Sequence, residues 1–132
     1  MLQELMIQTR RHRELVDVTR QVEAAVAESG VVEGIALVFC PHTTASVTVN
    51  ENADPDVVAD LLQAYTDLLG DERRFRHAEG NAGGHVLSSL LGVGLTLPVS
   101  GGRLRLGQWQ AIWFCEWDGP RSRRVQVQVI GR

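Results

Sequence analysis

Alternation of apolar and polar positions is clearest at residues 46–50, where Val47 and Val49 alternate with Ser46, Thr48 and Asn50. A period of two predicts a β-strand. The pattern then changes to helical spacing, with Val57, Val58, Leu61, Leu62, Tyr65, Leu68 and Leu69 on one stripe and Gly70 as the stop. Between them, Asp54 is placed to cap the helix, Pro55 to take its first position and Asp56 to add charge to its first turn. If the strand reaches back to His42, then His42, Thr44, Ser46, Thr48 and Asn50 share one face. That face is either a polar wall leading to the turn Asn50-Glu51-Asn52-Ala53-Asp54 or simply a solvated surface.

The remaining chain divides by the same signals. Residues 2–9 and 12–17 predict a strand pair around the basic corner Arg10-Arg11-His12-Arg13, with His12 at the surface. Thr19 is placed to cap a helix carrying Val18, Val22, Ala25 and Val26, which Gly30 ends. Residues 34–40 are apolar on both faces and predict a central strand covered from two sides. Residues 71–81 are irregular and read as a mobile loop. Gly83-Gly84-His85 opens a short helix over 86–91, and a glycine-rich entry suits close approach of an anion to backbone N–H groups. Two hairpins are predicted after it, one around Ser100-Gly101-Gly102 and one around Asp118-Gly119-Pro120-Arg121. The strand over 109–117 is apolar on both faces, so one face is expected to need a second copy of the chain.

The composition narrows the classes. A length of 132 residues with 44% hydrophobic content suits one domain, 1–132, of α+β class: an antiparallel or mixed sheet with helices packed on one face. A net charge of -3 argues against a general nucleic-acid binder. All 13 basic residues are arginine, which removes lysine Schiff-base chemistry and the Walker A phosphate loop. Cys40 and Cys115 lie in apolar runs and read as buried thiols in a reducing compartment. With no signal-like start and no apolar run of the roughly 20 residues a membrane helix needs, a cytoplasmic protein without a membrane partner is expected.

Several groups could carry chemistry. His42, His77 and His85 stand off the core stripes and could form a facial metal set, or be three ordinary surface histidines. Glu51 and Asp54 could serve as a general base or as oxygen ligands, although capping accounts for Asp54. Trp109 and Gln110 could stack and orient a flat ligand, with core packing as the rival for Trp109. Arg121, Arg123 and Arg124 surround one turn and could grip phosphate, or form a solvated tip. Neither cysteine has a basic neighbour in sequence and no GxSxG elbow occurs, so nucleophilic catalysis has little support.

Taken together, His42-Thr43-Thr44-Ala45-Ser46, Asn50-Glu51-Asn52-Ala53-Asp54-Pro55-Asp56-Val57, Asn81 with His85, Leu90-Leu91-Gly92, Gly102-Arg103-Leu104, Leu106-Gly107-Gln108-Trp109-Gln110 and Glu116 with Asp118-Gly119-Pro120-Arg121 resemble the YjbQ-like family over nearly the whole chain. Gln108 stands where that family usually has threonine, and Gly83-Gly84 replaces a more alanine- or proline-like approach to His85. Family members are described as secondary thiamine-phosphate synthase enzymes. The resemblance implies a homotrimer with a polar site near subunit boundaries that holds a divalent metal, zinc or magnesium, or an anion. It implies weak joining of a pyrimidine methyl pyrophosphate to a thiazole phosphate with release of pyrophosphate. Glu51 and His85 would then be catalytic, and His42, His77 and His85 would bind metal. Thr44, Asn52, Asn81, Trp109, Gln110, Arg121 and Arg123 would contact substrate. The alternative is a non-catalytic binder of a metal or a phosphorylated metabolite.

Overall fold

Asp54 ends the extended chain with φ −109° and ψ 112°, and its side chain accepts the Asp56 amide at 2.9 Å. Pro55 therefore opens helix α2 (Pro55–Leu68) as the sequence predicts, and Gly70 follows it in the left-handed region at φ 61°. These bounds come from a computed structural model that describes residues 1–132. Before α2, the chain forms β1 (Gln3–Gln8), β2 (Glu14–Asp17), α1 (Thr19–Ser29), β3 (Gly34–Phe39) and β4 (Ala45–Glu51). After it come a short 3-10 turn (Glu72–Arg74), α3 (Ala82–Leu91), β5 (Gly94–Ser100), β6 (Arg103–Leu104), β7 (Gln110–Glu116) and β8 (Ser122–Gly131).

The fold is α+β with antiparallel pairing, as expected, and its strands divide into two sheets. One has the order β1-β8-β3-β5-β6 and the other β2-β7-β4. This division corrects two local readings. β1 and β2 are not partners: β1 pairs with β8 and β2 with β7. Likewise β7 and β8 do not form a hairpin, because the turn at 118–121 carries the chain from the small sheet to the large one. The hairpin around Ser100 does form, with β5 against β6 and both Gly101 and Gly102 at positive φ.

The main core lies between the sheets, where Val38, Val125 and Val127 of the large sheet and Val22 and Val26 of α1 meet Val47, Ile112 and Phe114 of the small one. A second cluster forms on the other side of the small sheet: Trp113, Cys115 and Trp117 pack with Leu69 and Leu87, edged by Val58, Leu62 and Tyr65 of α2. Strand β7 is therefore covered on both faces within one chain, contrary to the expectation that one face would need a second copy. The open face belongs instead to the large sheet. Strand β3 is central, but Ile35, Leu37 and Phe39 alternate outward and remain exposed, joined by Met6 and Ile130 from β1 and β8.

Three further details differ from the sequence reading. Thr19 does not cap α1; its hydroxyl donates to Asp17 at 2.6 Å and accepts the Ile112 amide at 2.9 Å, tying the helix start to β7. The face from His42 to Asn50 is not a solvated wall, since β4 begins at Ala45 and Ser46 is sealed, accepting the Trp117 indole N–H at 3.0 Å. Helix α3 starts at Ala82, so Gly83 and Gly84 are helical and buried. A Cβ on Gly83 would lie 2.8 Å from the Leu69 side chain, and one on Gly84 would lie 3.0 Å from the Trp117 carbonyl. These glycines seat the helix closely rather than open a loop to an anion.

Candidate functional site

His42 lies just before β4, and Ser88 of α3 donates to the Ala45 carbonyl at 2.6 Å, so the helix is fixed across the strand's first residue. Between these elements opens a cleft of about 700 Å³ lined by His42, Thr43, His85, Ser88 and Ser89 together with Phe39 to Pro41, Gly92 and Val93. Two imidazoles and three hydroxyls face it, and none of its lining residues is acidic. Such a wall suits an anion. His85 also borders a smaller cleft with Phe75, Arg76, His77 and Val86.

The three histidines do not form one metal set. His77 and His85 stand edge to face with ring centroids 5.1 Å apart, and His77 Nε2 lies 3.6 Å from Glu79 Oε2. His42 is turned elsewhere: its Nε2 accepts the Arg124 amide at 3.0 Å, and its ring meets Phe114 edge to face. No three His, Cys, Asp or Glu side chains of the chain converge as metal ligands. The expected facial triad thus fails because one lone pair is already taken by backbone, and zinc or magnesium has no three-ligand seat within a single chain.

Beneath the cleft runs a buried ionic network. Glu116 is 0% exposed and Arg123 4%. Arg123 Nε donates to Glu116 Oε1 at 2.9 Å, and its Nη2 donates to Glu116 Oε2 as well as to the Thr44 carbonyl and hydroxyl at 3.1 and 2.9 Å. Thr9 donates to Glu116 Oε1 at 2.7 Å, and the Asp118 amide to Oε2 at 3.0 Å. Burial alone would raise the Glu116 carboxyl, but the Arg123, Thr9 and Asp118 donors outweigh it and hold it below its ordinary value. Burial also lowers His42, and the Arg123 charge adds to that. Arg123 and Thr44 are therefore structural, not substrate contacts: each is sealed and occupied.

Above the network, Arg121 Nη2 and Asn81 Nδ2 both donate to Asp118 Oδ2, at 3.0 and 2.9 Å. Asn81 Oδ1 is buried without a hydrogen-bond partner. Of the three arginines read as able to grip phosphate, Arg121 remains half exposed and Arg124 exposed, and only Arg123 is sealed. Sequence reasoning did not assign Glu116, Asp118, Thr43 or Ser89 to the site. Glu116 carried a usable signal, a carboxylate on the same strand face as the apolar Ile112 and Phe114, which requires a buried partner.

The remaining predicted residues lie at the other end of the small sheet. Glu51 is the last residue of β4, six strand steps or about 20 Å from Ala45. Asn52 donates from its amide N–H to the Trp109 carbonyl at 3.2 Å and from Nδ2 to Asp17 at 3.3 Å. Burial would raise Asp17, but the Thr19 hydroxyl and amide and Asn52 hold it low. Gln110 Oε1 accepts the Gly107 amide at 2.7 Å, which closes the turn before β7, and Trp109 is 56% exposed. Within one chain, Glu51 and His85 do not meet.

The family model described as UPF0047 protein YjbQ-like matches residues 3–132. The chain belongs to this family. It is 47% identical over 132 residues to the UPF0047 protein YugU of Bacillus subtilis, covering 99% of this chain and 100% of that one. A UPF0047 protein of Methanocaldococcus jannaschii is 44% identical over 131 residues, covering 99% and 95%. The crystal structure of a YjbQ/UPF0047 family protein from Clostridium acetobutylicum superposes with a TM-score of 0.93 at 45% identity, covering 96% of this chain and 98% of that chain. A YbjQ-like protein from Sulfolobus solfataricus gives 0.95 at 35% identity, covering 100% and 97%. The YjbQ-like fold, with its two antiparallel sheets, is thus shared at full length.

Proposed function

We propose that this YjbQ-like chain acts on phosphorylated small molecules, in the manner of a secondary thiamine-phosphate synthase. The supporting observation is the His42–His85 cleft, whose polar wall consists of imidazoles and hydroxyls without a carboxylate. In the reaction the thiazole nitrogen forms a bond to the pyrimidine methylene as the bond to pyrophosphate breaks. Donors around the leaving group take up the charge that develops there. His85, Thr43 and Ser89 line the cleft and would take that role, with Arg121 at the same end of the sheet. Trp109, exposed at the opposite end, has the surface to stack a flat ring.

Because Glu51 and Trp109 lie a strand's length from His85, a complete site calls for two copies of the chain, and the open apolar face of the large sheet gives them a surface to join. We assign a homotrimer on this basis and on the family resemblance. Two buried free thiols fit a reducing, cytoplasmic setting, and a net charge of -3 leaves nucleic acid outside the partners. No helix is long and apolar enough to cross a membrane.

The separation of Glu51 from His85 favours a second reading, a binder of phosphorylated metabolites without turnover. Incubating purified protein with both substrates and measuring thiamine phosphate decides between them. Product that disappears in His85→Ala, with matching rescue of a thiamine-requiring host, supports the enzyme. Saturable binding without product at any protein concentration supports the binder.

A further inference from the structure

An imidazole nitrogen that accepts an amide N–H has committed its lone pair and carries no proton, so in the neutral ring the proton resides on the other nitrogen. His42 Nε2 is in that position, 3.0 Å from the Arg124 amide, which β8 holds in place. The ring is also braced by Phe114, whose plane stands at 86° to it. Nδ1 must then carry the hydrogen, and the ring's one hydrogen bond within the chain is the one at Nε2. A donor without an acceptor is thereby left on a residue that lines the cleft beside Thr43 and Ser89.

We infer that His42 serves the cleft as a neutral hydrogen-bond donor through Nδ1–H, fixed in that tautomer by the Arg124 amide, and that its partner is a phosphoryl or pyrophosphoryl oxygen of the ligand. A metal ligand or a general base needs a free lone pair. His42 has none, since one is bonded to backbone and the other nitrogen is protonated. Burial and the neighbouring Arg123 charge both disfavour the imidazolium, in keeping with a neutral ring. The ligand half of this inference rests on the phosphorylated-metabolite reading above, whereas the tautomer half does not.

Two-bond proton–nitrogen correlation spectra of the full chain, labelled in its histidines, test the tautomer without any ligand. At neutral pH the His42 ring is expected to show a protonated Nδ1 and an unprotonated Nε2. A protonated Nε2, an imidazolium, or ring nitrogens that shift on adding zinc would overturn the inference. Pyrophosphate is the probe for the second half. Its addition should move the Nδ1 signal, and His42→Asn, which keeps a donor at the Nδ1 position, should retain affinity within about threefold. His42→Gln, which keeps only the outer position, should lose about tenfold or more. Equal loss in both variants, with wild-type-like circular dichroism, would remove the donor role. A wild type with the expected tautomer that does not bind pyrophosphate would overturn the phosphate reading and the ligand assigned to His42 together.

Discussion

Arg123 and Glu116 form an ion pair closed to solvent between the two sheets, with β7 supplying the carboxylate and β8 the guanidinium. Removing one partner leaves the other charge buried without compensation. Glu116→Gln and Arg123→Met are each expected to lower stability by about 3–5 kcal/mol in urea unfolding. The double variant Glu116→Gln with Arg123→Met should be less destabilised than the sum of the two, because it removes both charges. A strictly additive double variant would mean that the pair contributes nothing beyond its separate bonds to Thr9, Thr44 and Asp118.

The same pair sets an acid limit. Its donors hold the Glu116 carboxyl below the ordinary 4.5 despite burial. A carboxyl with a depressed folded value binds fewer protons folded than unfolded, so stability is fully present above 4.5 and declines as pH falls through the lower folded value. Unfolding free energy measured from pH 7 downward should therefore begin to fall below about pH 4.5. Glu116→Gln should flatten that slope, and an unchanged slope in the variant would assign acid sensitivity to other carboxyls.

Gly119 sits where the chain crosses from one sheet to the other above this pair. A Cβ there would lie 2.3 Å from the Arg11 carbonyl and 2.9 Å from Thr9 Oγ1. Backbone cannot swing aside as a long side chain can, so Gly119→Ala is expected to cost about 1–3 kcal/mol and to displace Asp118 and Arg121. Thermal unfolding measures the first effect. Weaker pyrophosphate binding, measured at a temperature where the variant stays folded, measures the second. Wild-type stability would show that the Arg11 corner yields freely.

Much of this architecture was legible in the sequence. Asp54 with Pro55, the part of the helical stripe at Val58, Leu62, Tyr65 and Leu69, and the buried thiols all act locally, through a cap, a period and an apolar run, and appear as read, whereas Leu68 of the same stripe is exposed. Burial pushes Cys40 up to about 11 and Cys115 up to about 12, so both remain thiols at neutral pH. What local pattern could not convey was which strands pair. The turn at Asp118 has the residues of a hairpin, but Thr9 accepts the Arg121 amide at 2.9 Å and draws β8 to β1. The site suffered for the same reason: Arg123 stands between Arg121 and Arg124 in a basic cluster, and only the pairing turns it inward onto Glu116.

The open face of the large sheet supplies the last prediction. Ile35, Leu37 and Phe39 of β3 are exposed in a row, with Ile130 of β8 opposite Ile35 and the uncharged Gln128 and Gln126 opposite Leu37 and Phe39, and Met6 lies one strand further out beside Arg124. A contiguous apolar strip in the middle of a sheet loses contact with water when copies associate, at about 25 cal/mol per Å². Light scattering at micromolar concentration should give three times the chain mass, and Leu37→Glu should release monomers. His42 and Arg121 lie at the same end of the small sheet, both beside the Glu116–Arg123 pair, so inactive variants at these two positions should not rescue each other. Rescue is expected instead on mixing Glu51→Gln with His85→Ala, because those residues lie at opposite ends of β4 and a shared site would join them only between copies. In a random trimer some sites then receive both intact residues, and a measurable fraction of thiamine-phosphate formation, or of pyrophosphate binding, should return. A fully active monomer would refute both the assembly and the shared site. A trimer without rescue would retain the assembly and confine each site to the His42 end of a single chain.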